Sequence, residues 1–282
     1  MKSISIFLFL LITLASNAQD NKTSGLNARQ FHKYWKVESE SPDYKVTFRG
    51  DTAEILSSKG LTLWRKEKMS GKVTIEYDAC VVVEAEGDRL SDLNCFWMAS
   101  DPQYPDNIWK REKWRNGIFL NCYSLQLYYM GYGGNHNSTT RFRRYDGNEA
   151  AVTNAKARPA ILKEYTDADH LLEANKWYHI KITNENNRVS YYINGVRLVD
   201  FRDAEPLTEG WFGFRTTLSR TRIANFHYEC SSQETSEIPL HWIGNTPQQN
   251  KAVSLGVPFN EGELYPEHTL QLRSEERRVG KE

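Results

Sequence analysis

The sequence predicts an all-β domain in which two antiparallel sheets pack face to face as a sandwich. Three observations carry that prediction. Where the apolar periodicity is clear it is two, not the 3.6 of a helix. Tyr, Phe and Trp supply 12% of the 282 residues, as strands favour. Polar turns also separate many short runs over roughly 210 residues, which suits a sandwich better than a barrel or a β/α repeat.

The elements follow in chain order. In KVTIEYDACVVV, Val73, Ile75, Tyr77, Ala79, Val81 and Val83 fall on one face and Thr74, Glu76 and Asp78 on the other. One side is core and the other is wet. Trp97 in NCFWMAS reads as core, and the next segment, SDPQYPDNIWKREKW, reads as irregular surface chain with Trp109, Trp114 and the solvated charges Lys110, Arg111 and Lys113. Tyr128 and Tyr129 alternate faces, so one of them points into the core. A strand over 139–145 puts Thr139, Arg141, Arg143 and Tyr145 on one face and Phe142 on the other. In WYHIKITNENNRVSYYINGVRLVDF, Tyr178, Ile180 and Ile182 share a face, 184–187 turns, Val189, Tyr191 and Ile193 return, and Asn194-Gly195 makes a tight hairpin. GWFGFRTT directs Phe212 and Phe214 one way and Trp211 and Arg215 the other, and TRIANFHYEC closes the sandwich.

The chain ends are read separately. Residues 1–18 carry Lys2, a mainly apolar run from Ile4 to Leu14 and the small-residue cleavage pattern Ser16-Asn17-Ala18, which predicts a signal peptide and a secreted or periplasmic protein. The apolar run is too short to span a bilayer comfortably, so no membrane span is expected. The sandwich is assigned to residues 19–230. SSQETSE, 231–237, has the polar composition of a linker. The stretch 238–272 holds four of the nine prolines and reads as the start of a second domain. The last ten residues, RSEERRVGKE, match the in-frame translation of a sequencing adapter and are set aside as an artefact.

The formal net charge is zero for the whole chain and about −2 for 19–272, which leaves nothing to attract nucleic acid or an anionic membrane. Cys80, Cys95, Cys122 and Cys230 match no zinc spacing. They admit either two disulfides or buried thiols.

The residues that look functional are concentrated in YYMGYGGNHNSTTRFRRYDG, 128–147. Guanidinium and amide groups at this density suit a surface, and the tyrosines supply flat faces for stacking. Arg141 and Arg143 on one strand face could hold a carboxylate bidentately. His136 lies in a glycine- and asparagine-rich loop and could move a proton, as could Tyr129. Arg141, Arg143, His136 and Tyr129 are therefore the catalytic candidates, and Tyr128, Asn135, Asn137, Tyr145, Trp211 and Arg215 the binding candidates. No strand shows the E-x-D-x-E pattern of a retaining glucanase. Glu76 and Asp78 share a face but lie opposite the core stripe, and there is no G-x-S-x-G, H-E-x-x-H or phosphate loop. No cofactor is expected. A structural calcium ion at Asp101–Asp106 is the weaker alternative to an ordinary turn.

The motifs W-Y-H-I-K-I, Y-Y-I-N-G-V, G-W-F-G-F-R and R-I-A-N-F resemble the concanavalin-A-like jelly roll of laminin-G-type, glucanase and lectin domains, in which one sheet is concave and carries the sugar site. DLNCFWMASDP, GIFLNCYSLQLYYMGYGGNHNSTTRFRRYDG and GWFGFRTTLSRTRIANF together resemble domain of unknown function 6250 and its YesU-like relatives over about residues 30–230. IPLHWIGNTP and GVPFNEGELYP resemble the start of an exo-rhamnogalacturonan lyase-like N-terminal domain. These resemblances imply an exported bacterial protein whose partner is an acidic, pectin- or rhamnogalacturonan-like polysaccharide. The activity implied is β-elimination; the alternatives are a non-catalytic carbohydrate-binding module or a jelly-roll glycoside hydrolase.

Overall fold

Alternating apolar and polar residues become two antiparallel sheets packed as a jelly-roll sandwich. The computed structural model describes residues 25–231. The predicted signal peptide, the second domain and the adapter-like tail lie outside them, as does all but one residue of the linker. The strands are β1 Trp35–Ser39, β2 Tyr44–Arg49, β3 Thr52–Ser57, β4 Gly60–Arg65, β5 Met69–Ser70, β6 Lys72–Val81, β7 Asn94–Ser100, β8 Gln126–Gly133, β9 Thr139–Asp146, β10 Lys163–Tyr165, β11 Tyr178–Glu185, β12 Arg188–Ile193, β13 Val196–Arg202, β14 Glu209–Thr217 and β15 Arg220–Ser231. The front sheet runs β1-β4-β14-β7-β8-β9-β10, with β5 added at one end of β14. The back sheet runs β13-β12-β11-β6-β15-β3-β2.

The core between the sheets is aromatic. Phe214 of β14 packs 4.9 Å from Tyr77 of β6, 5.5 Å from Trp35 of β1 and 5.7 Å from Phe226 of β15. Burying one such ring contributes about 1.5–3 kcal/mol. The alternation expected for β6 holds, with Val73, Ile75, Tyr77, Ala79 and Val81 buried and Thr74, Glu76 and Asp78 on the back sheet's outer face. Cys80, Cys95 and Cys122 are buried free thiols.

Asn194 and Gly195 both adopt positive φ, 49° and 81°, the twist a two-residue hairpin needs. The turn expected over 184–187 is shorter. Asn184 stays in β11 because its buried side chain donates to the Leu207 carbonyl at 3.1 Å, and the pairing continues to Glu185 opposite Arg188.

The largest departure from expectation lies in SDPQYPDNIWKREKW: residues 102–107 are exposed irregular chain as expected, but 108–114 enter short helices, Ile108–Arg111 and Glu112–Arg115, which with Phe119–Ser124 cover part of the front sheet's outer face. Ile108, Cys122, Tyr123 and Leu125 pack there with Ala151 against Trp64, Phe96, Leu127, Tyr145 and Trp211 to form a second core. Arg115, fully buried, fastens this cap: it donates to Glu38 of β1 at 2.9 Å and to the Ile108 carbonyl at 2.7 Å. Gly117, at φ +67°, follows at once, and a Cβ there would lie 2.6 Å from the Glu40 backbone nitrogen. Only glycine lets the cap come this close to the end of β1.

The Asp101–Asp106 loop shows no convergence of acids. Asp101 is buried, 3.8 Å from Arg115, whereas Asp106 is almost fully exposed and 3.6 Å from Lys68. Among the described residues no group of His, Cys, Asp and Glu side chains could hold a metal ion. None of their helices is long and apolar enough to cross a membrane.

Candidate functional site

Strand register assembles the candidate site on the outer face of the front sheet, from beneath the cap's edge at Arg215 outwards to β9. Thr62 of β4 pairs with Arg215 of β14, and Arg215 with Asn94 of β7. Cys95 stands opposite Met130, which sets Asn94 beside Gly131 of β8; Gly131 pairs with Arg141 of β9, and Arg141 with Glu164 of β10. One polar row therefore crosses the sheet. From Arg215 to Arg141 it spans three strand spacings, about 14 Å. One row further along the strands stand Trp64, Gly213, Phe96, Tyr129 and Arg143, and beyond that the face is apolar and capped.

Tyr129 belongs by sequence to the second row, yet its hydroxyl reaches the first. A Cβ on Gly131 would lie 2.3 Å from that oxygen, so the glycine leaves the space the phenol occupies. The ring is packed between Phe96 at 5.5 Å and Phe119 at 5.7 Å. Its hydroxyl makes no hydrogen bond among the described residues. Burial, reinforced by the nearby Asp92 carboxylate, pushes its pKa far above that of a free phenol. Tyr129 is therefore a hydrogen-bond donor at neutral pH and a poor base.

Asn94 and Asp92 frame the middle of the row. Asn94 Nδ2 donates to Asp92 Oδ1 at 3.2 Å, and Asp92 Oδ2 accepts from Arg89 at 2.7 Å. Asn94 Oδ1, Arg89 Nε and Arg215 Nε are each buried without a hydrogen-bond partner among the described residues. Buried polar atoms are nearly always paired; these three belong to a wider set that includes Trp64 Nε1, Tyr145 Oη and Arg115 Nε and Nη1 beneath the cap. Asp92 also has φ 65°, left-handed backbone that costs a residue with a Cβ about 1–3 kcal/mol and recurs at functional sites.

Arg215 is 2% exposed and donates to the Gly117 carbonyl at 2.6 Å, with Phe119 5.6 Å from its guanidinium. No carboxylate among the described residues pairs with it. Arg141 is half-buried and holds Glu164 through Nε, while Arg143 donates to the Pro159 carbonyl. The β8–β9 turn continues the site beside Asp92, whose backbone N–H donates to Gly133 at 3.2 Å. Asn135, His136 and Asn137 in that turn are all left-handed, and His136 is exposed at its tip.

Among the sequence candidates, the structure thus brings Arg141, Arg143, Tyr129 and Arg215 to one face, with His136 on the adjoining turn. The others have structural employment. Tyr128 points between the sheets, and its hydroxyl donates to Asp203 at 2.6 Å. Tyr145 and Trp211 do face outward, but the cap buries both, and Trp211 donates to the Lys66 carbonyl at 3.2 Å. Asn137 docks the turn by accepting from Leu172 N at 2.8 Å and donating to Leu172 O at 2.9 Å, and Asn135 donates to Ser138 at 2.9 Å. Asp92, Asn94, Arg89 and Phe119 were not singled out from sequence. The one available signal was alternation in DLNCF, which sets Asn94 opposite in face to Cys95.

A family model described as a domain of unknown function, DUF6250, matches residues 55–226. A second, described as a PcRGLX-like N-terminal RIFT barrel domain, matches residues 236–280, outside the described residues. No curated protein matches the chain. Among solved structures, a protein of unknown function with a galectin-like fold from Bacillus subtilis is similar with a TM-score of 0.58 at 15% identity, over 74% of this chain and 95% of that one. The exoplasmic/lumenal domain of VIP36 in its Ca2+/Man2-bound form is similar with a TM-score of 0.50 at 8% identity, over 74% and 86%. At these identities the likeness is one of fold.

Proposed function

The chain belongs to the DUF6250 family, and we propose that it binds an acidic glycan of the pectin or rhamnogalacturonan class at the polar row of its front sheet. The observation that carries this reading is the row itself. Donors for a carboxylate, at Arg141 and Arg143, share one face with the donor hydroxyl of Tyr129 and the orphan acceptor Asn94 Oδ1. A uronate supplies the complement: an anion for the guanidinium groups, hydroxyls for Asn94 and Tyr129, and an apolar ring face for Phe119. The signal peptide expected at residues 1–18 supports export as part of this reading. The second family match at 236–280 supports a role in delivering a downstream domain to the same class of polymer.

A second reading, β-elimination, rests on one observation: the left-handed backbone of Asp92 beside the Tyr129 hydroxyl. In that chemistry Arg141 and Arg143 would neutralise the uronate carboxylate and Asp92 or His136 would take the C5 proton. Tyr129, kept protonated by burial, would donate towards the leaving oxygen.

Calorimetry with rhamnogalacturonan and polygalacturonate, run beside an ultraviolet assay for unsaturated uronate, separates the two. Binding that Asn94→Ala weakens about tenfold or more, without unsaturated product, is the expected result. Product formation lost in Arg141→Ala establishes the lyase instead, and no binding to either polymer sinks both readings.

A further inference from the structure

The geometry points to a second anion-selective saccharide site, in the groove between the two edge strands at the open side of the sandwich. Among the described strands β1 pairs only with β4 and β2 only with β3, so each stands at the edge of its sheet. Between them lies a groove of about 610 Å³. That is inside the ~300–1,000 Å³ range of ligand sites.

Its lining combines the two properties an acidic sugar needs. Trp109, Tyr44 and Phe48 offer ring faces, Tyr44 being 38% exposed and Trp109 half-buried. Every lining side chain that can carry charge at neutral pH or below is a cation: His32, Lys36 and Lys66. Among the described residues no carboxylate lines the groove. Lys36 sits 5.3 Å from the Trp109 ring and is neutralised from behind by Glu112. Lys66 is the uncompensated charge, because its ammonium donates to the His32 carbonyl and pairs with no carboxylate among the described residues.

Aromatic faces beside an unneutralised ammonium fit a uronate-containing oligosaccharide. The sugar's apolar face would stack on the rings and its carboxylate meet Lys66. An acidic peptide adding as a strand could use only one of the two edges and would gain little from the rings. This groove lies at the β1 edge, on the other side of the cap from the Arg141 row, so one chain would hold an acidic polymer at two points and gain avidity. The choice of a uronate as ligand rests on the acidic-glycan reading above; the groove and its charge do not.

The test is amide chemical-shift mapping of the full chain with trigalacturonate, a neutral trisaccharide of similar size, and poly-glutamate. Trigalacturonate should shift amides in β1 and β2. Lys66→Glu should weaken that response roughly tenfold and Tyr44→Ala several-fold, the loss expected for one charge contact and one stacked ring. Both side chains are exposed, so folding should survive. Arg141→Ala should leave the groove shifts intact while removing those around Asn94 and Gly131, which separates failure at this site from failure of the front-sheet reading. The proposal is overturned if β1 and β2 do not respond, if Lys66→Glu changes the affinity less than twofold, or if the neutral trisaccharide or poly-glutamate shifts the same amides as strongly.

Discussion

The outer faces of the two sheets carry similar residue types, but only the front face also buries polar atoms that have no partner among the described residues. On the back sheet, Glu54 accepts from Arg220 at 3.0 Å and Arg222 at 2.7 Å, Lys181 meets Glu76 at 2.9 Å, and His179 lies 2.8 Å from Asp78. Each charge has a partner across the strand. On the front sheet Arg141 is paired with Glu164 in the same way, but Arg215 is buried with no carboxylate in ion-pair contact among the described residues, and Asn94, Arg89 and Arg215 each bury an atom with no partner. A face that satisfies itself has little left to offer a ligand. A face that leaves donors and acceptors open within a rigid frame is organised around something else. This contrast, more than the presence of arginine, separates a solvated sheet from a candidate site.

Several measurements would break or sharpen that contrast. The largest effect should come from the ion pair that fastens the cap. Arg115→Ala strands the buried Glu38 and should cost about 3–5 kcal/mol in urea unfolding. A cost under about 1 kcal/mol would mean that the cap is not held this way. Arg141→Ala and Asn94→Ala should next lower acidic-glycan affinity about tenfold or more in calorimetry, with a smaller effect on stability for the half-buried arginine. Gly131→Ala forces the Tyr129 hydroxyl aside and should reduce affinity to a similar or lesser degree; unchanged binding would remove Tyr129 from the site.

The smallest effect belongs to the back sheet. Burial alone would raise the Glu54 pKa, but hydrogen bonds from Arg222 and Arg220 hold it below the usual carboxylate range. Its stabilisation is therefore present above the unfolded value and lost as pH falls through the folded one. Glu54→Gln should flatten that acid-side loss of stability by up to about 1 kcal/mol and leave glycan binding untouched. Altered binding would contradict the contrast.

The sandwich was legible because period-two alternation is a local property, and β6, β9, β11 and β14 display it without help. The cap was not. IWKREKW alternates neither as a strand nor clearly as a helix, and its burial depends on Arg115 finding Glu38 seventy-seven residues away. Arg141 and Arg143 could be placed on one face from sequence, since they are two residues apart in one strand. Their grouping with Asn94 and Arg215 depends on register across three interstrand pairings, which no local window contains. Tyr145 and Trp211 were assigned the correct face but not its covering, because alternation gives direction and says nothing about what lies above.

Cys122 lies on the inner side of the cap and Cys95 between the sheets, and burial pushes their thiols to about 11 and about 12. Neither can be alkylated without an opening event, but the events differ. Cys122 needs only the cap to lift, whereas Cys95 needs the two sheets to part. Site-resolved alkylation rates under native conditions would therefore serve as two clocks in one molecule, one timing the cover and the other the body beneath it.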